Sequence, residues 1–313
     1  MMAEEALKPG KMSLTERLQK VLQNPVTVKE LRSRMRGPRA FIVLTIYLAL
    51  MSAFIWVVYL VYYQATQNTY GPEVSLAGKT VFGAVLAVQV FLIVFIGPAF
   101  TAGAISGERE RQTYDLLRTT LLPAGALVRG KLLSALSYVL LLVFAAIPLQ
   151  SLAFLLGGIA WEELIISQLL VVVAAITYAL AGLYASSLMR STLAASVTTY
   201  AIALFLVVGL PILALFSISF IGIALSSPST PAWVEHVAAV IGWYLIPTNL
   251  PATLVAAEIV LLNEGSLWYF MYTSGSFSFI FISPWLLFLV LYSMLSALFY
   301  WGSVRRVRKI AVR

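Results

Sequence analysis

The chain has 313 residues, of which 61% are hydrophobic and 11% are charged, and its formal net charge is +8. A soluble domain contains about 45–50% apolar and about 25% charged residues, so we expect a lipid bilayer, rather than one water-facing core, to accommodate the apolar surface of this chain. No cysteine is present, which excludes disulfides, thiol catalysis and cysteine metal ligands.

The N-terminal segment carries a helical pattern before the first apolar run. Asn24-Pro25 begins a helix with an apolar side, and Gly37-Pro38 ends it. Its polar side carries the cations Lys29, Arg32 and Arg36. A basic amphipathic helix beside a membrane span lies along the interface, so residues 1–39 are predicted as a cytoplasmic segment with an amphipathic connector helix. Such a helix either only anchors the topology or moves with the bundle and contacts a cytoplasmic partner.

Six uncharged stretches are long enough to cross a membrane. A helix needs about 20 apolar residues to cross the ~30 Å hydrocarbon layer, and a charge at its centre costs about 2.5–3.5 kcal/mol. The predicted spans are about 41–63, 81–104, 132–156, 164–188, 193–224 and 281–303. These runs do not alternate apolar and polar residues as barrel strands do. We therefore predict an all-α polytopic membrane protein with a six-span domain over residues 40–304.

Residues 237–257 form a further uncharged stretch, which Pro247 and Pro251 divide into pieces too short to span separately. The cations argue against a seventh span. With six spans, 20 of the 21 Lys and Arg residues lie on one side, and Lys79 is the exception. Because cytoplasmic loops carry the Lys/Arg excess, both termini are predicted to be cytoplasmic, with residues 305–313 as a basic tail. The pieces near Pro247 become short re-entrant or interfacial helices on the outer face, with Asn249 as an N-cap.

The fifth apolar run is longer than a span requires. Gly209 and Pro211 lie in its middle, where a kink is expected. The kink either accommodates packing against neighbouring helices or acts as a hinge that moves.

The loop between the second and third spans is dense in charges of both signs. Helical spacing predicts that Glu108 reaches Arg111 or Gln112, and that Asp115 reaches Arg118. Tyr114, Leu117 and Leu121 share one helical face. The segment is therefore predicted as a short helix that docks against something apolar, and the alternative is a salt-bridged helix that packs back on its own chain.

The order Glu-Arg-x-x-x-Thr-Tyr-Asp-Leu-Leu-x-x-x-Leu-x-Pro over residues 108–123 resembles the coupling-helix region of ABC-2-type permeases, the membrane subunits of many bacterial ABC exporters. The segment that begins at Asn24-Pro25 is similar to the connector helix of that family. The six spans, the internal termini and the short outer helices before the last span also resemble the family. The resemblance covers nearly the whole chain.

The resemblance implies a permease that works as a homodimer or heterodimer in the inner (plasma) membrane. Each permease would contact a separate ABC ATPase subunit, which binds ATP and Mg²⁺ and supplies the energy. The resemblance places the ATPase interface at the coupling helix: Glu108, Arg109, Glu110, Arg111, Thr113, Tyr114, Asp115, Leu116, Leu117 and Arg118. Lys29, Arg32 and Arg36 of the connector helix would face the same partner.

No catalytic, metal or cofactor constellation is recognisable in the chain. His236 is the only histidine, and one histidine with scattered carboxylates does not make a metal site. Gly78-Lys79-Thr80 is similar to the end of a phosphate loop, but Glu73 stands where that motif needs glycine. The chain is therefore predicted not to be an enzyme, and any ATP hydrolysis requires a second polypeptide.

The predicted spans contain no Asp, Glu, His, Lys or Arg at membrane depth, which disfavours an ion-coupled carrier or channel. It favours an amphipathic or lipid-like cargo. Gln89, Gln150, Thr177 and Tyr178 either line a polar route or form hydrogen bonds between helices. The predicted function is the permease of an ABC exporter in the lipid bilayer, with no nucleic-acid partner. The alternative is a membrane scaffold or assembly subunit that has the permease fold and transports nothing.

Overall fold

The apolar runs form long helices in the computed structural model of the chain, which describes residues 38–66, 74–113, 123–155, 157–225, 232–274 and 277–312. Within these ranges, six helical segments are long and apolar enough to cross a membrane: Phe41–Val61, Gly78–Glu110, Ala124–Leu155, Trp161–Leu188, Thr192–Phe220 and Pro284–Lys309. The predicted class, an all-α polytopic membrane protein, is confirmed. Lys29, Arg32 and Arg36 of the predicted connector helix lie outside the described residues.

The first part of the chain supplies four of these spans. Its helices are α1 (Pro38–Thr66), α2 (Val74–Thr101), α3 (Ser106–Glu110), α4 (Ala124–Ala145), α5 (Ile147–Leu155) and α6 (Trp161–Leu188). Pro148 explains the break between α4 and α5, because proline is tolerated in the first turn of a helix but not in its interior. Gly157 and Gly158 have φ angles of 86° and 84°, which glycine adopts without a steric penalty, and they turn the chain into α6.

The second part is more irregular. Its helices are α7 (Thr192–Leu204), a π-helical segment (Phe205–Gly209), α8 (Leu210–Leu225), α9 (Ala232–Leu245), a 3₁₀ turn (Ile246–Thr248), α10 (Leu250–Glu264) and α11 (Pro284–Val312). The helices α9 and α10 meet at a bend of 120°. A bend of this size turns the chain back toward the side from which it came, as the predicted re-entrant helices require. Their location on the outer face stays a prediction.

Helix α6 lies at the centre of the bundle and contacts α2, α4, α7 and α11. Its buried positions are rich in small residues: Ala174, Ala175, Ala179, Ala181 and Ala185. A Cβ atom on Gly182 would collide with the side chain of Thr101 on α2. Small residues let helix backbones approach closely in lipid, where packing and interhelical hydrogen bonds replace the hydrophobic effect as the cause of association.

A β-hairpin precedes the last helix, where the sequence predicted only short outer helices. Strands β1 (Tyr269–Ser274) and β2 (Phe277–Ile282) pair antiparallel, with Tyr269 opposite Ile282. Aromatic and β-branched residues favour strands, and they dominate both segments. The ring of Trp243 packs 4.4 Å from that of Phe270, and its indole nitrogen donates a hydrogen bond to the carbonyl oxygen of Ile282.

Helix α11 begins at Pro284, directly after the hairpin, and continues to Val312 through the predicted basic tail. The end of an apolar run marks the boundary of the hydrocarbon layer, whereas a helix ends only where its backbone hydrogen bonding stops. Arg305, Arg306, Arg308 and Lys309 therefore lie on a helical extension of the sixth span. The guanidinium carbon of Arg305 lies 5.0 Å from the ring centre of Trp301.

Candidate functional site

One end of the bundle gathers the termini of several helices. The cluster of buried apolar side chains at this end contains Ile105 after α2, Val128 on α4, Leu183 on α6 and Val307 on α11. Lys131 and Arg109 lie at the same end. We call it the basic end, and we call residues 106–113 the coupling segment.

Ser186 on α6 holds the start of the coupling segment. Its hydroxyl oxygen lies 2.9 Å from the backbone nitrogens of both Ile105 and Ser106, and 3.2 Å from the hydroxyl oxygen of Ser106. The first backbone N–H groups of a helix have no acceptor within that helix. A side chain of α6 therefore accepts hydrogen bonds at the start of α3.

Arg109 contacts the C-terminus of α6. Its two terminal nitrogens donate hydrogen bonds to the carbonyl oxygens of Met189 and Ser187, each at 3.0 Å. The last carbonyls of a helix lack intrahelical partners, and a cation is favourable at that end of the helix dipole. Arg109 thus satisfies both the hydrogen bonding and the electrostatics of the α6 C-terminus.

Glu110 connects the coupling segment to α7. Its carboxylate accepts hydrogen bonds from the backbone nitrogen of Thr192 at 3.1 Å and from the hydroxyl of Thr192 at 2.7 Å. Ser191 caps the same helix by accepting from the backbone nitrogen of Ala194 at 3.3 Å. An anion at a helix N-terminus is stabilised by the helix dipole, so Glu110 acts as a second cap that comes from a different part of the chain.

Glu108 connects the coupling segment to α4. Its carboxylate lies 3.4 Å from the ammonium nitrogen of Lys131 and accepts a hydrogen bond from the hydroxyl of Thr113. The Lys131 side chain is 5% exposed, and a charge buried this far requires a partner. Sequence spacing predicted Arg111 or Gln112 as the partner of Glu108, whereas the structure shows Lys131 and Thr113. Gln112 has a φ angle of 56°, and this left-handed residue ends the local helix.

The coupling segment therefore packs against its own chain, as the second of the two sequence readings proposed for this region. Glu108, Arg109, Glu110 and Thr113 make the contacts described above, and Arg111 is exposed. The remaining predicted interface residues, Tyr114, Asp115, Leu116, Leu117 and Arg118, lie outside the described residues. Contact of any of these residues with an ATPase stays a prediction. The contacts to α6 and α7 were not predicted, because they join positions about 80 residues apart.

Three glutamine side chains form a hydrogen-bonded cluster inside the bundle. The amide nitrogen of Gln150 on α5 donates to Gln89 on α2 at 3.0 Å, and that of Gln168 on α6 donates to Gln150 at 2.7 Å. The side-chain nitrogen of Gln89 donates to the side-chain oxygen of Gln168 at 3.3 Å. Thr177 on α6 similarly lies 2.8 Å from Ser296 on α11. For Gln89, Gln150 and Thr177 these contacts favour the interhelical reading over the polar route.

The fifth span changes geometry where the sequence predicted a kink. The π-helical segment ends at Gly209, two residues before Pro211. Asn249, which precedes α10, donates from its side-chain nitrogen to the carbonyl oxygens of Val207 at 2.9 Å and Leu206 at 3.4 Å. As predicted, Asn249 also caps α10, and its side-chain oxygen accepts from the backbone nitrogen of Ala252 at 3.1 Å. Motion at Gly209 and Pro211 stays a prediction.

Within the described ranges, no three His, Asp or Glu side chains are close enough together to hold a metal ion. The ring of His236 packs 5.5 Å from that of Phe279. The contacts that bear on function are those at the helix termini and between the helices.

Six apolar helices around a small-residue core define a multi-pass membrane protein. The model of the ABC-2 family transporter protein matches residues 25–305. The chain belongs to this family and is a permease subunit of an ABC transporter. The family implies pairing with an ABC ATPase and usually with a second permease. A comparison with curated proteins gives no significant match.

Proposed function

We propose that this permease forms the pathway for ATP-driven export of an amphipathic substrate across the plasma membrane. Its basic end faces the cytoplasm together with both termini, in agreement with the positions of 20 of its 21 Lys and Arg residues. ATP and Mg²⁺ bind to a separate ATPase subunit. A second permease, either identical or related, completes the pathway.

The observation that carries this proposal is the set of contacts made by the coupling segment. Its consecutive residues Glu108, Arg109 and Glu110 contact α4, the C-terminus of α6 and the N-terminus of α7, respectively. A displacement of this one segment by a partner would therefore act on three spans together. A loop that only joined two spans would not require polar contacts with three other helices.

A displacement of the coupling segment would be transmitted to the spans because its contacts with them are strong. Hydrogen bonds in which one group is charged contribute about 1.5–3 kcal/mol each, more than neutral ones. Those of Arg109 fix the segment to backbone carbonyls, so they act on the helix itself and not on a mobile side chain. The ATPase would contact the exposed side of the segment, beginning at Arg111, and the adjoining residues Tyr114 to Arg118.

The experiment is co-purification of the tagged full-length chain with its ATPase, followed by reconstitution in liposomes. Asp115→Arg is expected to reduce recovery of the ATPase. Arg109→Ala is expected to preserve recovery but to reduce the ATPase-driven movement of amphiphile. Arg308→Glu is the matched control, because Arg308 is an exposed cation at the same end of the bundle on α11, and it should change neither quantity.

Two results would contradict the proposal. If no ATPase accompanies the wild-type chain, the permease is not paired as proposed. If the ATPase binds and hydrolyses ATP while no amphiphile moves, the alternative role of a membrane scaffold that reuses the permease fold is favoured.

A further inference from the structure

An elongated cavity lies between α2, α6, the π-helical segment and α10, away from the basic end. Its volume is about 470 Å³, within the range of about 300–1,000 Å³ that is typical of small-molecule sites. The α2 residues that line it form one continuous stripe from Phe82 to Phe95. At 1.5 Å per residue this stripe is about 20 Å long, and the cavity follows α2 over this length.

The wall of the cavity is apolar over most of this length. The side chains that form it include Leu86, Val90, Val94, Val207 and Leu254. A water-soluble ligand would leave such a wall without apolar contacts, whereas a hydrocarbon chain is stabilised by each CH₂ group that it buries there. A hydrocarbon chain that enters from the bilayer leaves an environment that is already apolar, so it is stabilised only by closer packing. Specificity for a ligand must therefore come from a polar end of the cavity.

Two carboxylates lie at the outer end of the cavity, near the start of α6 and on α10. Glu163 and Glu258 both line it, and Glu258 lies 3.6 Å from the ammonium nitrogen of Lys79. The charges of Lys79 and Glu258 both act on Glu163. One carboxylate oxygen of Glu163 is buried and has no hydrogen-bond partner among the described residues. Glu162, whose charge also acts on Glu163, is a further carboxylate here, so this end of the cavity holds more carboxylates than cations.

A buried polar atom without a partner requires an explanation, and a ligand outside the structure is one of the standard ones. We propose that the cavity binds a single-chain amphiphile with an ammonium headgroup. Its hydrocarbon chain lies along the α2 stripe and its ammonium group lies against Glu163. The inference deepens the proposed function, on which it rests, by naming the chemical class of the cargo.

Gly83 provides a direct way to fill the cavity. It lines the cavity, and a Cβ atom added to it meets no other atom within 4 Å. Gly83→Trp therefore places an indole in the space that the hydrocarbon chain would occupy. Gly222 is the matched control, because it is also a helical glycine whose added Cβ would meet nothing within 4 Å, and it does not line the cavity.

The test uses the full-length chain in lipid nanodiscs without an ATPase, so that binding is measured separately from transport. A hexadecyl-ammonium probe with a diazirine on its chain is photolysed, and labelled peptides are mapped. Labelling is expected to concentrate on residues 82–95 of α2, relative to the exposed face of α1 as internal reference. Gly83→Trp should reduce it to the level of α1, and Gly222→Trp should leave it unchanged.

Glu163→Gln tests the polar end and remains informative if Gly83→Trp does not fold. Loss of a charged hydrogen bond is expected to weaken competition by unlabelled hexadecyl-ammonium about tenfold. Equal labelling of α1 and α2, or an unchanged pattern in both Gly83→Trp and Glu163→Gln, would overturn the proposal. A hexadecanoate probe that labels residues 82–95 as strongly would show that the site does not select an ammonium group. If the probe binds in nanodiscs but no ATPase co-purifies with the tagged wild-type chain, the cargo site stands and the proposed function fails.

Discussion

The side-chain nitrogen of Asn249 lies 2.9 Å from the carbonyl oxygen of Val207, four residues before Pro211. In an α-helix this carbonyl would accept from the N–H of residue 211, and proline has none. In π geometry the same missing donor would affect Leu206, and Asn249 also reaches that oxygen, at 3.4 Å. Asn249 therefore replaces the missing backbone donor and joins the kink of the fifth span to the start of α10.

The first prediction separates the two roles of Asn249. Asn249→Asp keeps an oxygen to cap α10 but replaces the donor with an acceptor that faces the carbonyl oxygen of Val207. We expect this variant to lower the free energy of unfolding by about 1–3 kcal/mol, because the partly buried carbonyl oxygens of Leu206 and Val207 lose the donor that Asn249 supplies. Unfolding of the purified chain in detergent by heat, followed by loss of helical circular dichroism, measures the effect.

Pro211→Ala supplies the control for this prediction, because alanine restores the backbone N–H. In the Asn249→Asp background, the change at residue 211 should recover part of the lost stability. Coupled residues typically show interaction energies of about 0.5–3 kcal/mol. Strictly additive effects of the two substitutions would show that Asn249 does not replace the proline donor.

The second prediction concerns the cluster of Gln89, Gln150 and Gln168. Gln150→Leu should destabilise the chain by about 0.6–1.7 kcal/mol, the range measured for hydrogen bonds between membrane helices. Replacement of all three by leucine should cost less than the sum of the single changes, because no amide then remains without a partner. Gln64→Leu, at an exposed position of α1, is the control. Additive losses would contradict a closed cluster.

The third prediction concerns the ion pair between Glu108 and Lys131. Glu108→Gln should cost about 1–3 kcal/mol of stability, because the Lys131 side chain is only 5% exposed and loses this charged partner. Lys131→Met should cost less, since the Glu108 side chain is 32% exposed and still accepts from Thr113. A double-mutant cycle measured by thermal unfolding gives the coupling energy. A value near zero would show that Glu108 and Lys131 do not stabilise each other.

The fourth prediction concerns the cap that Glu110 places on α7. Glu110→Ala removes the acceptor of the Thr192 backbone N–H, so hydrogen exchange of the amide of Thr192 should become faster. Arg111→Ala changes the adjacent exposed side chain and should leave this amide unchanged. Hydrogen–deuterium exchange followed by mass spectrometry resolves the peptide that contains the start of α7. Equal exchange in both variants would show that Glu110 does not cap this helix.

The sequence predicts the fold class well because membrane spans obey a local rule. Length and apolar character suffice to indicate about where each helix crosses, and the Asn249 cap follows from the short pattern of asparagine before proline. The hairpin at Tyr269–Ile282 was not predicted, because an aromatic-rich segment at a membrane surface is typical of an interfacial belt as well as of strands.

The contacts of the coupling segment could not be predicted from the sequence. The local rule for ion pairs considers residues three or four positions apart, whereas Glu108 contacts a residue 23 positions away and Arg109 reaches residues about 80 positions away. Which of these distant residues come into contact is decided by how α4 and α6 pack against α2. The cavity is likewise a property of this packing, although Glu163 and Glu258 could be noted in the sequence as acids close to apolar runs.

The small-residue core of α6 has a consequence for how this sequence can vary. More than half of its most apolar stretch is buried within the chain, compared with 11% for the first span and 6% for the fifth. An added methylene at Ala175 would meet neighbouring side chains at once, while many apolar side chains of α1 and α8 are exposed and have room to change. Natural variants should therefore differ freely among Leu, Ile, Val and Phe in the first and fifth spans, and retain Ala, Gly and Ser in the fourth.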